Sequence, residues 1–256
     1  MKVSGIVIVT GAEETELMRQ SAPALQPQVD ELVVVANGPN SVDGDLPVAA
    51  QVIRNHELRG FSANINAGIA ATSGEYVIVS NPDAVPEPDA IAELVGFADA
   101  HPRCGVAGPK MVNPDGTLQA SRRRFPTIAG SIVRRTPIRL LFPPLRWQRR
   151  HYLLDAPSGE PMQVDTMLGA FLLMRRTMLD ELGGWDPGYQ LYVDDIDFNY
   201  RAMKAGWERW WVPSAVVHHE YQAVIDKRFF TRRNWWHAKA MARFLRKHPE
   251  RLLAFW

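Results

Sequence analysis

Asp83 is the first residue whose position suggests chemistry. It follows an apolar run at positions 76–80 and the turn residues Asn81 and Pro82. The run predicts a buried strand, and open α/β sheets bind ligands at the carboxyl ends of their strands. The carboxylate is therefore expected at the mouth of a crevice, where it could hold a cation. A turn in which Asp83 binds only neighbouring backbone is the competing interpretation.

Three further acids, Asp194, Asp195 and Asp197, open a predicted helix. The amino terminus of a helix favours negative side chains, but capping needs only one or two of them. At least one of the three carboxylates is therefore not needed for capping and could take part in proton transfer. Capping alone is the competing interpretation.

His218 and His219 end the last predicted strand. Successive side chains of a strand point to opposite faces, so at most one of the two rings is expected to face a site. That imidazole could bind a metal, and a purely structural histidine is the alternative.

The elements that must position these residues alternate between strands and helices. This pattern predicts an α/β fold with a Rossmann-like, mainly parallel central sheet and helices on both faces. No G-x-G-x-x-G sequence follows the first strand, so a nicotinamide or flavin site is not indicated. The predicted strands are 3–10, 32–36, 51–54, 76–80, 104–112, 164–174 and 207–219, the last being one strand or a strand pair, and the predicted helices are 12–20, 60–72, 89–97, 175–182 and 194–204.

Gly169 and Ala170 lack bulk within an otherwise large-residue run at 164–174. Small residues suit a strand whose backbone is approached closely by a ligand. A β-bulge would use the same residues and is the alternative.

Composition points to one domain with an appended tail. The chain has 256 residues, of which 46% are hydrophobic, enough to fill a large core. The single cysteine, Cys104, excludes an internal disulfide and fits a reducing compartment. The apolar run at 3–9 is too short for a membrane span, and no small-residue cleavage site follows it. A cytoplasmic location is therefore expected.

Charge divides the chain into an acidic and a basic part. Residues 1–100 carry 4 Lys/Arg and 14 Asp/Glu, whereas residues 101–256 carry 25 and 14. The stretch 116–154 alone has 9 arginines and no acid. The basic part suits an anionic partner such as a phosphate, an acidic glycan or a membrane surface, with an ordinary solvated surface as the alternative. No nucleic-acid-binding module surrounds the arginines, so nucleic acid is not expected as a partner.

Aromatic and basic residues at 226–251 predict an amphipathic helix that packs back on the domain. Such a helix could also touch the inner face of an anionic membrane that carries a lipid-linked acceptor. A helix that merely covers the core is the alternative.

Seven features occur in an order that resembles one known family. Together they are similar to the inverting glycosyltransferases of family 2, which have a GT-A fold, and most closely to the bacterial rhamnosyltransferase-like branch. The features are Thr10 at the end of the first strand and the stretches 60–68, 81–84, 169–176, 184–186, 194–197 and 213–219. The resemblance implies a GT-A domain at 1–220, a basic acceptor-side loop region at 116–163 and a C-terminal basic helical tail at 221–256.

The resemblance implies a metal and a base. Asp83 stands at the family's metal-binding Asp-x-Asp motif and would reach Mn²⁺ or Mg²⁺ on the donor diphosphate. His219 fits the family's metal- or phosphate-contacting position, with His218 as the alternative. Asp195 would be the general base, and Asp194 stands where the family more often has Glu.

The resemblance also implies where a nucleotide sugar binds. At the end of the second strand the family usually has an Asp that helps hold the base and ribose, but Ala36 occupies this position. This departure leaves open whether the base is uridine or thymidine, although the amide of Asn37 or Asn64 could serve a pyrimidine. The residues expected to contact the nucleotide sugar are Thr10, Asn37, Asn64, Asn66, Asn81, Gly169 and Ala170.

The function that follows from the resemblance is inverting transfer of a sugar from a dTDP-rhamnose or UDP-hexose donor. The acceptor would be a hydroxyl of a glycan or lipid-linked saccharide in bacterial cell-wall or polysaccharide biosynthesis. Two alternatives remain, a nucleotidyltransferase and a non-catalytic nucleotide- or glycan-binding module.

Overall fold

A computed structural model describes residues 2–39, 41–42, 46–127, 130–131, 146–219 and 232–253. Its strands are β1 (Val3–Val9), β2 (Glu31–Asn37), β3 (Gln51–Asn55), β4 (Tyr76–Ser80), β5 (Ala84–Pro86), β6 (Cys104–Val112), β7 (Arg122–Arg123), β8 (Met162–Gln163), β9 (Thr166–Met167), β10 (Phe171–Arg175) and β11 (Glu208–His219). Its helices are α1 (Gly11–Leu25), α2 (Phe61–Ala70), α3 (Ala90–Ala100), α4 (Arg146–His151), α5 (Arg176–Leu182), α6 (Asp194–Lys204) and α7 (Arg232–Lys247). Short 3₁₀ helices cover Gln26–Gln28 and Pro249–Leu253. None of the helices in these ranges is long and apolar enough to cross a membrane.

The central sheet has the strand order β3-β2-β1-β4-β10-β6-β11-β5, and β8 pairs with β11. The neighbours β3-β2-β1-β4 and the pair β6-β11 run parallel. β10 lies between the two parallel groups and is antiparallel to both of its neighbours. The expected mainly parallel, Rossmann-like sheet is confirmed, with β10, the edge strand β5 and the short strand β8 as its antiparallel members.

Both faces of the sheet are covered because its strands are almost continuously apolar. On one face α1 and α3 pack through Met18 and Leu94, both of which are buried. On the other face α2, α5 and α6 pack through Ile65, Met178 and Phe198, which are also buried. The helices on both faces are therefore as expected, and burial of the sheet on both sides makes it a rigid platform for its edges.

The carboxyl ends of β1, β2 and β4 meet at one edge of the sheet. In the parallel register Val9 lies beside Ala36, and Val7 lies beside Ser80. The residues that follow these strands must therefore be neighbours, which brings Thr10, the end of β2 and the 81–83 turn together. This is the edge at which an open α/β sheet binds its ligand.

Two predicted strands differ from the structure. The run 164–174 is divided, because residues 168–170 form a turn between β9 and β10. Gly169 and Ala170 therefore lie in a turn and not inside a strand. The run 207–219 forms one strand, β11. Its pairing with β6 is irregular between Val212 and Val216, the segment that contains Pro213. Proline lacks the donor that regular pairing needs, which accounts for the interruption.

The basic loop region and the tail are described only in part. Within 116–163, positions 128–129 and 132–145 lie outside the described residues, and so do 220–231 and 254–256 in the tail. The predicted amphipathic helix at 226–251 is described as α7. Ala240 and Phe244 of α7 are buried in a cluster with Tyr189, Val193 and Tyr200, so the helix packs on the domain as predicted.

Candidate active site

Asp83 and His219 form the first part of the candidate site. Asp83 Oδ1 lies 3.4 Å from His219 Nε2, and Asn81 Nδ2 lies 3.4 Å from the same nitrogen. The side chains of Asp83 and His219 are 17% and 6% exposed. A carboxylate and an imidazole are thus held together at the sheet edge, largely shielded from bulk water.

The sheet register explains why His219, and not His218, meets Asp83. In the pair of β11 with β5, His219 lies opposite Ala84, which directly follows Asp83. His218 points to the other face, as strand alternation requires. Its Nε2 lies 2.9 Å from Glu87 Oε1 at the surface. The structure therefore brings His219 to Asp83 and leaves His218 with Glu87, whereas the alternative that His218 contacts the metal or phosphate stays a prediction.

Gln119 sets the orientation of the His219 ring, a role that sequence patterns did not predict. Its Nε2 donates to the backbone oxygen of His219 and, at 2.8 Å, to Asn113 Oδ1. Because both partners are acceptors, the amide oxygen of Gln119 faces His219 Nδ1, 3.1 Å away, and accepts its proton. In the neutral ring, the lone pair of His219 Nε2 therefore points towards Asp83. Two electron-rich atoms that face each other suit a cation bound between them.

Glu14 adds a second carboxylate near Asp83. Burial raises the pKa of Glu14, and the charge of Asp83 adds to this rise. Its Oε2 accepts a hydrogen bond of 2.7 Å from the backbone nitrogen of Thr10. The sequence signal for this residue is its place in the first turn after the first strand.

Asp194 and Asp195 form the second part of the site, at the start of α6. Asp194 is 6% exposed, and its Oδ2 has no hydrogen-bond partner among the residues that the structure describes. Asp195 Oδ1 accepts a hydrogen bond of 2.8 Å from the backbone nitrogen of Ile196. The chain therefore holds one acid in a fixed orientation and leaves the other with an unbonded oxygen.

The electrostatics of this pair favour proton uptake. Burial raises the pKa of Asp194 above its ordinary value, and the charge of Asp195 adds to the rise. Burial also raises the pKa of Asp195, whereas the Arg123 guanidinium opposes the rise. Two acids that share a buried site cannot both ionise easily. A carboxylate with a raised pKa is better matched to accepting a proton near neutral pH.

The turn that presents these acids is strained. Tyr192 and Val193 have φ angles of 70° and 65°, the left-handed region that β-branched residues almost never adopt. Each such residue costs about 1–3 kcal/mol, so the surrounding structure must hold it in place. Val193 is 2% exposed and packs in the cluster that contains Ala240 and Phe244 of α7.

The turn at Gly169 and Ala170 joins the two parts of the site. The oxygen of Ala170 accepts a hydrogen bond of 2.7 Å from the nitrogen of Asn81. A Cβ atom added at Gly169 would lie 3.4 Å from Asp195 Cβ. This turn therefore lies between the Asp83 side and the Asp195 side, and its small residues keep the space beside Asp195 open.

Two of the four asparagines predicted to contact the nucleotide sugar, Asn37 and Asn64, are bonded inside the protein. Asn37 accepts from the nitrogen of Arg59 and donates to its oxygen, at 2.8 and 3.1 Å. Asn64 is fully buried and bonds Asn55 at 2.7 Å and the Arg59 oxygen at 3.3 Å. These amides stabilise the 56–60 loop, and their bonds inside the protein do not favour the nucleotide contacts predicted for Asn37 and Asn64, which stay predictions.

Asn66 shows the same behaviour on another part of the chain. Its amide donates to the oxygen of Trp185 at 2.7 Å and accepts from the nitrogen of Trp185 at 2.8 Å. These bonds likewise do not favour the predicted contact of Asn66 with the nucleotide, which stays a prediction. Thr10 is an exposed polar residue at the same sheet edge. Its Oγ1 accepts only a long hydrogen bond, of 3.4 Å, from the Asn37 amide nitrogen.

A family described as Glycosyltransferase like family 2 matches residues 27–245 of the chain. N-acetylglucosaminyl-diphospho-decaprenol L-rhamnosyltransferase of Mycobacterium tuberculosis (strain CDC 1551 / Oshkosh) is 34% identical over 203 residues, which cover 70% of this chain and 64% of the relative. The chain thus spans less than two thirds of that relative's length. Rhamnosyltransferase WbbL of Escherichia coli (strain K12) is 34% identical over 82 residues, 32% of this chain and 31% of the relative.

Solved structures show the same fold at low identity. GalNAc-T7 with UDP, GalNAc and Mn²⁺ has a TM-score of 0.66 and 16% identity, and the match covers 96% of this chain and 48% of that chain. Mannosyltransferase PcManGT from Pyrobaculum calidifontis, in complex with GDP-Man and Mn²⁺, has a TM-score of 0.61 and 18% identity, with coverages of 97% and 64%. The chain therefore belongs to glycosyltransferase-like family 2 and has a GT-A fold.

Proposed function

We propose that the protein is a metal-dependent, inverting glycosyltransferase that moves a sugar from a nucleotide diphosphate to an acceptor hydroxyl. One observation carries the proposal: the Asp83–His219 pair and the acids Asp194 and Asp195 flank the same small-residue turn. A donor diphosphate on the first side and an acceptor on the second would meet over Gly169 and Ala170.

Asp83 and His219 fit a hard divalent cation, Mn²⁺ or Mg²⁺. Within the described ranges no group of three or more His, Cys, Asp or Glu side chains could hold a metal. Two protein donors leave coordination positions for phosphate oxygens and water, which is how such ions usually bind beside substrate phosphates. When bound, the cation would neutralise charge on the departing diphosphate. Asp83 orients it, and Gln119 keeps the His219 ring in the ligating tautomer.

Asp195 is proposed as the general base. It would take the proton from the acceptor hydroxyl while that oxygen attacks the anomeric carbon and the bond to the diphosphate breaks. One displacement of this kind inverts the anomeric centre and needs no covalent nucleophile. Burial and the charge of Asp195 would raise the pKa of Asp194, and the Arg123 guanidinium would lower the pKa of Asp195.

The donor is proposed to be a pyrimidine nucleotide sugar, with dTDP-rhamnose favoured over UDP-hexoses. The names of the two rhamnosyltransferase relatives support this choice. Thr10 and Asn81 remain the residues proposed to contact the nucleotide, and Gly169 and Ala170 those proposed to contact the sugar.

A lipid-linked saccharide is proposed as the acceptor, bound at the inner face of a membrane. Its support is the decaprenol-linked acceptor in the name of one relative and the outer face of α7. On that face Trp235 is 65% exposed, and Arg232, Lys239 and Arg246 are exposed beside it. An exposed indole among cations suits an anionic lipid surface. Co-sedimentation with phosphatidylglycerol vesicles should weaken in Trp235→Ala, whereas equal binding to neutral phosphatidylcholine vesicles would contradict this role.

A donor screen tests the proposed reaction. The purified protein is incubated with Mn²⁺ or Mg²⁺, a panel of UDP-, dTDP- and GDP-sugars and a saccharide acceptor, and release of nucleoside diphosphate is followed. We expect metal-dependent turnover with one pyrimidine donor and an inverted anomeric centre in the product. Release of inorganic diphosphate from a nucleoside triphosphate and a sugar phosphate would instead indicate a nucleotidyltransferase. Absence of turnover together with absence of nucleotide binding would overturn the proposal.

A further inference from the structure

Helix α7 forms hydrogen bonds and ion pairs with the loop before α6 and with α6, the helix that begins with Asp194 and Asp195. Asp186, in the loop before α6, is bonded by Arg243 Nη2 at 2.8 Å and by Lys247 Nζ at 2.9 Å. These two cations lower the pKa of the Asp186 carboxyl, against the effect of its partial burial. The end of α7 is thereby tied to the segment that leads into α6.

Asp197 is the second point of attachment, and it is fully buried. Its Oδ2 is bonded at 2.9 Å by Arg201 Nε and by Lys247 Nζ. Its Oδ1 lies 2.9 Å from His248 Nε2 and 3.3 Å from the hydroxyl of Tyr189. A buried carboxylate is tolerated only where such partners compensate its lost hydration. Two of these partners, Lys247 and His248, belong to the end of α7 and the residue directly after it.

Asp197 also fixes the strained turn directly. Its backbone nitrogen donates to the oxygen of Val193 at 2.9 Å. Arg201, one turn further along α6, donates to the oxygens of Leu182 and Gly184 at 3.0 and 2.8 Å. The same carboxylate therefore connects α7, the start of α6 and the end of α5.

A third attachment reaches the basic segment beside the site. Arg251 Nη2 donates to the oxygen of Pro126 at 3.2 Å, and its guanidinium lies 5.4 Å from the centre of the Phe125 ring. Phe125 follows β7, whose Arg123 lowers the pKa of Asp195. Docking of α7 and the residues after it thus touches both elements that surround the proposed base.

We propose that Lys247 and His248 are positioning residues, which hold Asp195 in its working geometry by clamping Asp197 and the strained turn at Val193. Neither of them touches the acids that would do the chemistry. Helix α7 is therefore part of the catalytic unit and not a cover over the core. This inference rests on the proposed transfer reaction, because it explains how Asp195, the proposed base of that reaction, is held in position.

The test compares the parent protein with Lys247→Met, His248→Ala and His248→Gln. Ala242→Gln, at an exposed position on the same helix, is the matched control. Since small displacements of a catalytic group reduce turnover strongly, we expect kcat to fall about 10–100-fold in Lys247→Met and His248→Ala. The KM for the donor should stay within about twofold, because the Asp83 side is not displaced. His248→Gln keeps a side-chain N–H donor and should recover most of the loss.

Hydrogen exchange provides a readout that does not need activity. Amide protection at 190–199 should fall about tenfold in Lys247→Met and His248→Ala, and protection at 76–84 should not change. If the transfer reaction itself is wrong, this local effect will still appear, so the two failures can be distinguished. Unchanged kcat, or unchanged protection at 190–199, in both variants would overturn the inference. An equal rise in donor KM and fall in kcat would also do so, since it would indicate general loosening of the fold.

Discussion

The two sides of the crevice are held in place by different means. Asp83 and His219 are positioned by the register of β4, β5 and β11 in a sheet that is buried on both faces. Asp194 and Asp195 instead start a helix behind two left-handed residues, and helix α7 supports that turn from another part of the chain. The positions of Asp83 and His219 are therefore set by the sheet itself, whereas those of Asp194 and Asp195 depend on contacts with α7.

This difference suggests a division of labour. A metal and a diphosphate need a stable, pre-organised binding edge, because their coordination geometry is demanding. The proposed base instead follows a strained turn that is supported from another helix, and such a turn can change without disturbing the sheet. The predictions below change one side at a time.

Replacing the base should have the largest effect. Asp195→Asn removes the proton acceptor, and we expect kcat to fall about 10²–10⁴-fold, the usual contribution of general base catalysis. Steady-state kinetics with a saturating acceptor will measure it. A variant that retains more than a tenth of the parent's kcat would rule out Asp195 as the base.

Two histidine variants test the proposed metal site, one of which should lose metal affinity while the other should keep it. His219→Ala removes a proposed ligand, and the apparent affinity for Mn²⁺ in turnover should fall at least about tenfold. His218→Ala removes only a surface contact with Glu87, so its metal dependence should match the parent. Equal losses in both variants would mean that the two rings do not differ in function.

The acid limb of the pH–rate profile should move when Arg123 is replaced. Arg123→Gln removes the positive charge that lowers the pKa of Asp195, so the limb should shift to higher pH. The shift is expected to be about 0.5–1 pH unit. A profile of kcat/KM that coincides with that of the parent would show that Arg123 does not act on the proposed base.

Asp194→Asn should stabilise the folded protein in alkaline solution. The folded pKa of Asp194 is raised, so its ionised form is disfavoured in the folded state, and stability is lost as pH rises above the unfolded value. The amide cannot ionise, and the free energy of unfolding at pH 8 should rise by about 1 kcal/mol. The gain should vanish near pH 3, below the unfolded pKa of about 3.9, where both states of the parent are protonated. Urea melts at the two pH values will measure it, and a gain of the same size at both would contradict this cause.

Much of the sheet side could be predicted from local sequence. The apolar run before Asn81 marked β4, and strand alternation required that His218 and His219 face opposite ways. Sequence alone did not decide which ring meets Asp83, because that depends on the pairing of β11 with β5.

The remainder depends on contacts between distant residues. Asn37, Asn64 and Asn66 were plausible ligand contacts by residue type, but their amides bond the backbone of Arg59 and Trp185. The attachments of Lys247 and His248 to Asp197 span about fifty positions. No local pattern encodes such contacts, since each depends on how two separately predicted elements pack.

The most direct test of the account measures nucleotide binding and turnover together in Asp83→Ala and Asp195→Asn. Calorimetry with Mn²⁺ and UDP or dTDP gives the dissociation constant, and nucleoside diphosphate release gives kcat. The account predicts that Asp195→Asn binds the nucleotide as the parent does but fails to turn over, whereas Asp83→Ala loses the metal-dependent binding itself. Normal binding in Asp83→Ala, or turnover by Asp195→Asn at the parent's rate, would contradict the division of the site into a metal side and a base side.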